Sequence, residues 1–356
     1  MSTPGGIYFT TCALEAPAPT GGSAPSDRTA GGPHRREVVV AGRRIKTVDV
    51  HAHCAVPAAM AILETPLPTP DLLMTDTRAR LAAMDEQGID VAALSINPYW
   101  YHAERDTAAE IIDVQNEALA EFRAAMPERF TAFATVALQH PDLAVRQLHK
   151  AVGQLGFRGV WVGGSVEGRE LADPAFHRFW AKCEELDVLV FMHPQGSSEL
   201  EAAGRLAGNG LLTNTIGNPL ETTIALSHLI FEGTLDRFPG LKICAAHGGG
   251  YLPSYAHRSD AVCRTFPARV GPRPKKRPSA YLRDGQLFFD TIVFTPEALR
   301  HLIAETGASQ IMMGTDYPFP WTTTEVDLIL ATPGLEDEER IAVLGGTAAR
   351  LLGIDR

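Results

Sequence analysis

The sequence has no C-x-x-C pair and only five cysteines in 356 residues (Cys12, Cys54, Cys183, Cys244 and Cys263). This odd, scattered set is no disulfide framework, and it predicts a reducing compartment, the cytoplasm. No apolar run approaches the roughly 20 residues that a membrane span needs, so no membrane association is expected. The first residues lack the basic start and apolar stretch of a signal peptide. Positive charge is also scarce. With 32 Lys and Arg against 42 Asp and Glu, the net charge is −10, which argues against nucleic acid as a partner. It leaves substrate charge open, because one local arginine outweighs it at a site.

What is present suits a large core: 45% of the residues are hydrophobic. Residues 1–36 are rich in Gly, Pro, Ala, Ser and Thr and read as a flexible, disordered tail. The alternative reading is an arm that orders against a partner subunit. Residues 37–356 read as one domain. Short β-branched, apolar runs there alternate with amphipathic segments. The expected strands are Lys46–His51, Ile89–Ile96, Phe130–Leu138, Arg158–Gly163, Val188–His193, Leu241–His247, Leu287–Val293 and Gln310–Asp316. Helix-period stretches such as Thr107–Ala125, Asp142–Leu155 and Leu220–Phe238 lie between them. Eight such units predict an α/β fold, a closed (β/α)8 TIM-type barrel. Two connections are long, Pro194–Asn218 and Thr265–Arg283, and read as lids or interface elements.

The chemistry gathers at strand ends. His51 and His53 close the first strand as H-x-H, and strand alternation puts i and i+2 on one face. Other apolar runs end in His193, His247 and Asp316. The C-terminal ends of parallel barrel strands converge on one mouth, where this fold places its active sites. Five groups of metal-ligand or acid/base type at four strand ends point to a metal centre, with a structural hydrogen-bond network as the bland alternative. Three imidazoles and one carboxylate suit Zn²⁺, with Mn²⁺, Fe²⁺ or Co²⁺ as alternatives. Four ligands suffice, which leaves one group for proton transfer. His247 is the choice, because Gly248–Gly250 follow it and permit close approach. Cys54 should point away from the histidines. Asp290 reads equally as a partner of a ligand imidazole or as part of a strand-end network. Tyr99, Trp100, Tyr101 and His102 read as packing or as pocket lining, and Lys275, Lys276 and Arg277 as a solvated charge run.

Three longer motifs carry a resemblance: Asn218-Pro-Leu-Glu-Thr-Thr-Ile-Ala, then Arg237-Phe-Pro-Gly-Leu-Lys-Ile-Cys-Ala-Ala-His-Gly-Gly-Gly, then Gly314-Thr-Asp-Tyr-Pro-Phe-Pro. From Lys46 to Gly353 the chain resembles the aminocarboxymuconate-semialdehyde decarboxylase family of the amidohydrolase superfamily. The resemblance implies one divalent metal, often zinc, non-oxidative decarboxylation, and a homodimer or higher oligomer. It places the metal ligands on His51, His53, His193 and Asp316 and the catalytic histidine on His247. It also places a substrate-binding arginine, lent by a neighbouring subunit, on Arg258. Two departures concern the substrate side: Cys54–Asp71 holds no arginine, and Gln195 stands where those enzymes have an aromatic residue. The expected substrate is therefore a different small carboxylate, a substituted aromatic or unsaturated acid. The rival expectation is a metal-dependent hydrolase of a lactone or amide on the same scaffold.

Overall fold

The computed structural model describes residues 35–63, 72, 77–272 and 274–355. Most of the tail expected over residues 1–36 lies outside them, as does part of the loop after the first strand. The β-branched runs form eight barrel strands: β1 (Val48–His53), β2 (Val91–Ser95), β3 (Phe130–Ala132), β4 (Gly159–Gly163), β5 (Leu189–His193), β6 (Lys242–Ala245), β7 (Leu287–Asp290) and β8 (Ile311–Met312). They pair in parallel as β1-β2-β3 and as β4-β5-β6-β7-β8. Two bridges join these ladders into a circle. Ala134 pairs with Val160 between β3 and β4, and Ala52 pairs with Tyr317 between β1 and the extension of β8. The Val50 N–H adds a hydrogen bond to the Met313 carbonyl at 2.9 Å. The barrel closes, so it presents no free edge.

Alternation along the strands sorts the apolar residues into two layers. Val48, Val50, Phe133, Trp161, Phe191, Cys244 and Met312 fill the barrel. Leu94, Val162, Val190, Ile243 and Phe289 face outward against helical residues such as Leu148, Phe179 and Leu226. An antiparallel hairpin, Val38–Val40 with Arg43–Ile45, precedes β1. Its Arg44 donates two hydrogen bonds, 2.6 and 2.8 Å, to Asp90 at the start of β2.

Several expected boundaries shift for identifiable reasons. The third strand, expected to Leu138, runs as a strand only to Ala132 and keeps backbone bonds to its neighbours through Ala134, beyond which side-chain amides replace its ladder. Asn116 accepts from the Thr135 N–H (2.8 Å) and donates to its carbonyl (2.9 Å), and Gln147 accepts from the Ala137 N–H (2.8 Å). The helix expected over Leu220–Phe238 breaks at Gly233, whose φ of 77° separates Asn218–Phe231 from Thr234–Arg237. The connection expected after His193 contains a short helix, Ser198–Ala202, and a wide turn, Thr213–Gly217, that leads directly into Asn218–Phe231.

Candidate metal centre

The two histidines of β1 reach the barrel interior through an irregularity. Val48 and Val50 already face inward, so simple alternation would turn His51 and His53 outward. The register shifts between Asp49 and Ala52, and this bulge reverses the parity. Asp49 holds it in place: one carboxylate oxygen accepts from the His51 N–H (3.0 Å) and the Thr315 N–H (3.1 Å). The other accepts from the Thr315 hydroxyl (2.6 Å). Ala52 and Cys54 consequently pack in the outer layer, where Cys54 was expected.

Inside the barrel, His51, His53, His193 and Asp316 are all buried and present ligand atoms within 4.8 Å of one another. His51 Nε2 and His53 Nε2 lie 3.1 Å apart, and they stand 3.2 and 2.7 Å from Asp316 Oδ1. Donors bound at 2.0–2.2 Å to one ion sit about 3.0–3.5 Å from each other, so the set fits a divalent metal. Asp290 Oδ2 accepts a hydrogen bond from His51 Nδ1 at 2.7 Å, which orients the ring so that Nε2 faces the other ligand atoms. Asp290 is thus the partner of a ligand-type imidazole. Its other oxygen accepts from the Gly248 N–H (2.8 Å) and the Ile292 N–H (3.2 Å).

The electrostatics are those of a cation site. Burial pushes His53 down to about 4 and His193 well below the usual imidazole range, so both favour the neutral, metal-binding form. Burial also acts to lower His51, but Asp316 and Asp290 outweigh it and raise His51 to about 10. Asp316 is held well below the usual carboxylate range: the surrounding histidines overcome the burial that would raise it. Trp161 stacks on His193 with ring centroids 5.3 Å apart and an interplanar angle of 21°, fixing that imidazole from the side.

His247 stands at the edge of this cluster. Its Nε2 is 3.8 Å from Asp316 Oδ2, its ring centroid is 5.2 Å from that of His193, and its side chain is 17% exposed where His51 is fully buried. The three glycines after it serve the barrel rather than open space. A Cβ on Gly248 would lie 2.6 Å from Val293, one on Gly249 2.6 Å from Phe289, and one on Gly250 2.2 Å from the Pro219 carbonyl. His247 and Asp316 line a cavity of about 430 Å³ at the barrel mouth.

Three contributors were not singled out in the sequence. Asp49 builds the bulge. Arg80, also buried, donates to the His53 carbonyl at 2.6 Å and lies over the Tyr317 ring at 4.5 Å, tying β1 to the loop after Asp316. Glu221 accepts from the Gln195 and Gly196 N–H groups and the Ser165 hydroxyl, anchoring the segment after His193; burial pushes its carboxyl up to about 7 against those bonds. The acid within Asn218-Pro-Leu-Glu was the available signal. Trp100 and Tyr101 are buried and hydrogen-bonded to Val136 and Gly163, so they pack. The Lys275 backbone N–H donates to the Asp236 carboxylate, and the Lys276 ammonium pairs with Asp284. Arg258 is exposed on the helix Leu252–Thr265, outside the residues that line the cavity.

Known proteins share this architecture. The profile of the family described as Amidohydrolase matches residues 48–354. The 2-amino-3-carboxymuconate-6-semialdehyde decarboxylase of Dictyostelium discoideum is 29% identical, over 86% of this chain and 85% of its own. The gamma-resorcylate decarboxylase of Rhodococcus jostii (strain RHA1) is 31% identical, over 78% and 87%. Among solved structures, a dihydroxybenzoic acid decarboxylase from Polaromonas sp. JS666, with bound manganese and the inhibitor 2-nitroresorcinol, superposes with a TM-score of 0.75 at 27% identity, covering 88% of this chain and 98% of its own. The chain belongs to the amidohydrolase family, in its branch of metal-dependent non-oxidative decarboxylases.

Proposed function

We propose that the protein decarboxylates a substituted aromatic or unsaturated carboxylic acid, with one divalent metal on His51, His53, His193 and Asp316 and with His247 as acid/base. The observation that carries this reading is the buried four-ligand cluster, with His247 beside it and partly open to the cavity. The metal is proposed to be Zn²⁺, with Mn²⁺, Fe²⁺ and Co²⁺ as alternatives; the bound manganese of the Polaromonas relative supports a divalent ion at such a site. When bound, the ion supplies Lewis-acid polarisation of a substrate oxygen. The chain's own groups do the rest. The cavity orients the acid, Arg258 of a partner subunit in a homodimer or higher oligomer pairs with its carboxylate through a planar fork, and His247 manages the proton. The reaction consumes one proton: the bond to the carboxylate carbon breaks, CO2 leaves, and that proton takes its place on the substrate carbon. Residues 1–36 are proposed as a tail, residues 37–356 as the catalytic domain, and the cytoplasm as the location.

A panel of aromatic acids, unsaturated acids and lactones tests the reading with zinc- or manganese-loaded protein. CO2 release from an acid is the expected result; acid release from a lactone without CO2 points to hydrolysis and overturns it. His247→Asn should retain the metal and slow turnover about 10²–10⁴-fold, as for loss of a positioned proton-transfer group. Metal loss on elemental analysis would move His247 among the ligands.

A further inference from the structure

Three non-glycine residues at the barrel mouth have left-handed backbone: His247 (φ 55°), Phe294 (φ 66°) and Asp316 (φ 63°). They follow the successive strands β6, β7 and β8, and all three line the cavity of about 430 Å³. Such a conformation is costly for a residue with a Cβ and persists where a site requires it. The proposed chemistry accounts for His247 and Asp316. It does not account for Phe294, and burial does not either, since this side chain is 55% exposed. Trp321, in the loop after β8, lines the same cavity and is 41% exposed, whereas Trp100, Trp161 and Trp180 are fully buried. Ile292, Val293, Pro253 and Leu302 add apolar surface to the same lining, alongside the polar Ser254 and His301.

We propose that Phe294 and Trp321 form a flat aromatic wall against which the substrate ring stacks, so that the site selects a planar aromatic acid over an acyclic unsaturated one. The proposal rests on the decarboxylase reading for the position of the carboxylate, near His247 and Asp316. The cavity volume lies within the roughly 300–1,000 Å³ of small-molecule sites. Stacking on π faces distinguishes a ring from an open chain of similar charge, because offset-stacked aromatic pairs gain affinity beyond the area they bury. The strained backbone at Phe294 then holds the ring where the substrate passes.

Calorimetric titration of the manganese-loaded protein with 2,6-dihydroxybenzoate and with sorbate (trans,trans-hexa-2,4-dienoate), both monoanions, tests the wall without requiring turnover. Wild-type protein should bind the ring more tightly. Phe294→Leu and Trp321→Leu should each weaken 2,6-dihydroxybenzoate roughly 2- to 10-fold, the range for one aromatic pair, and leave sorbate nearly unchanged. Phe294→Gly separates binding from packing: glycine adopts this φ freely, so affinity for the ring should fall while the melting temperature holds or rises. Equal losses for both ligands overturn the proposal, as does wild-type protein that binds the ring no better than the diene. A Phe294→Leu variant that changes oligomeric mass but not affinity makes the residue a subunit contact and also overturns it. An aromatic acid that binds with the expected pattern but releases no CO2 removes the decarboxylase reading and leaves the wall standing.

Discussion

At the scale of single residues, the carboxyl of Glu325 gives the site a signature in stability against pH. Neither of its oxygens has a well-formed hydrogen bond. Burial pushes it up to about 8, Thr291 offsets this only partly, and the nearby Asp290 and Asp49 add repulsion. The folded state therefore keeps a proton that the unfolded chain has already released. Stability is full below about pH 4.5 and is lost as pH rises toward 8, at about 1.4 kcal/mol per unit. Glu325→Gln carries a permanent neutral isostere. Denaturant melts should show the variant matching wild type at pH 5 and exceeding it by a few kcal/mol at pH 8. A difference that does not grow between those two pH values would mean that Glu325 is already ionised or well solvated in the folded protein.

At the scale of elements, the turn after His247 is the most constrained piece of the site. Gly250 has φ 63° and ψ −129°, and a Cβ there would lie 2.2 Å from the Pro219 carbonyl. A backbone oxygen cannot swing aside as a side-chain tip can. Gly250→Ala should therefore cost at least about 1–3 kcal/mol for the backbone conformation alone, and the displaced turn should slow any turnover that depends on His247. A melting temperature equal to wild type would show that the turn yields easily. The sequence displayed these glycines, the eight units and the five strand-end groups because period and motif are local properties. It did not display the bulge in β1. Val48 and Val50 read as a plain alternating strand, and only the bonds from Thr315 and His51 to Asp49, reached across 266 and 2 residues, create the parity reversal. Arg80 was equally hidden, since its contacts join segments far apart in the chain. The early end of β3 was hidden because Asn116 and Gln147 supply the competing bonds from helices.

At the scale of the whole molecule, Arg258 is the one proposed site residue that a single chain leaves exposed, outside the buried ligand cluster and its neighbour His247, and a shared site is directly testable. Arg258→Ala and His193→Ala proteins are mixed under conditions that let subunits exchange. In a two-fold dimer, random exchange makes about half the dimers mixed, so roughly a quarter of all sites should regain activity. No regain despite verified exchange would place the arginine in cis or outside catalysis. The barrel's closure has a further meaning. His51 and His53 lie on the first strand and Asp316 just past the last, and the Asp316 N–H donates to the His51 carbonyl at 2.8 Å across the join. The proposed ion would therefore act as a clasp between the beginning and the end of the barrel. During synthesis the three imidazoles emerge well before the carboxylate that balances them, so a growing chain has no complete cradle to offer. Metal acquisition then becomes the last act of assembly, and a chain cut short before its final strand would be left unfastened.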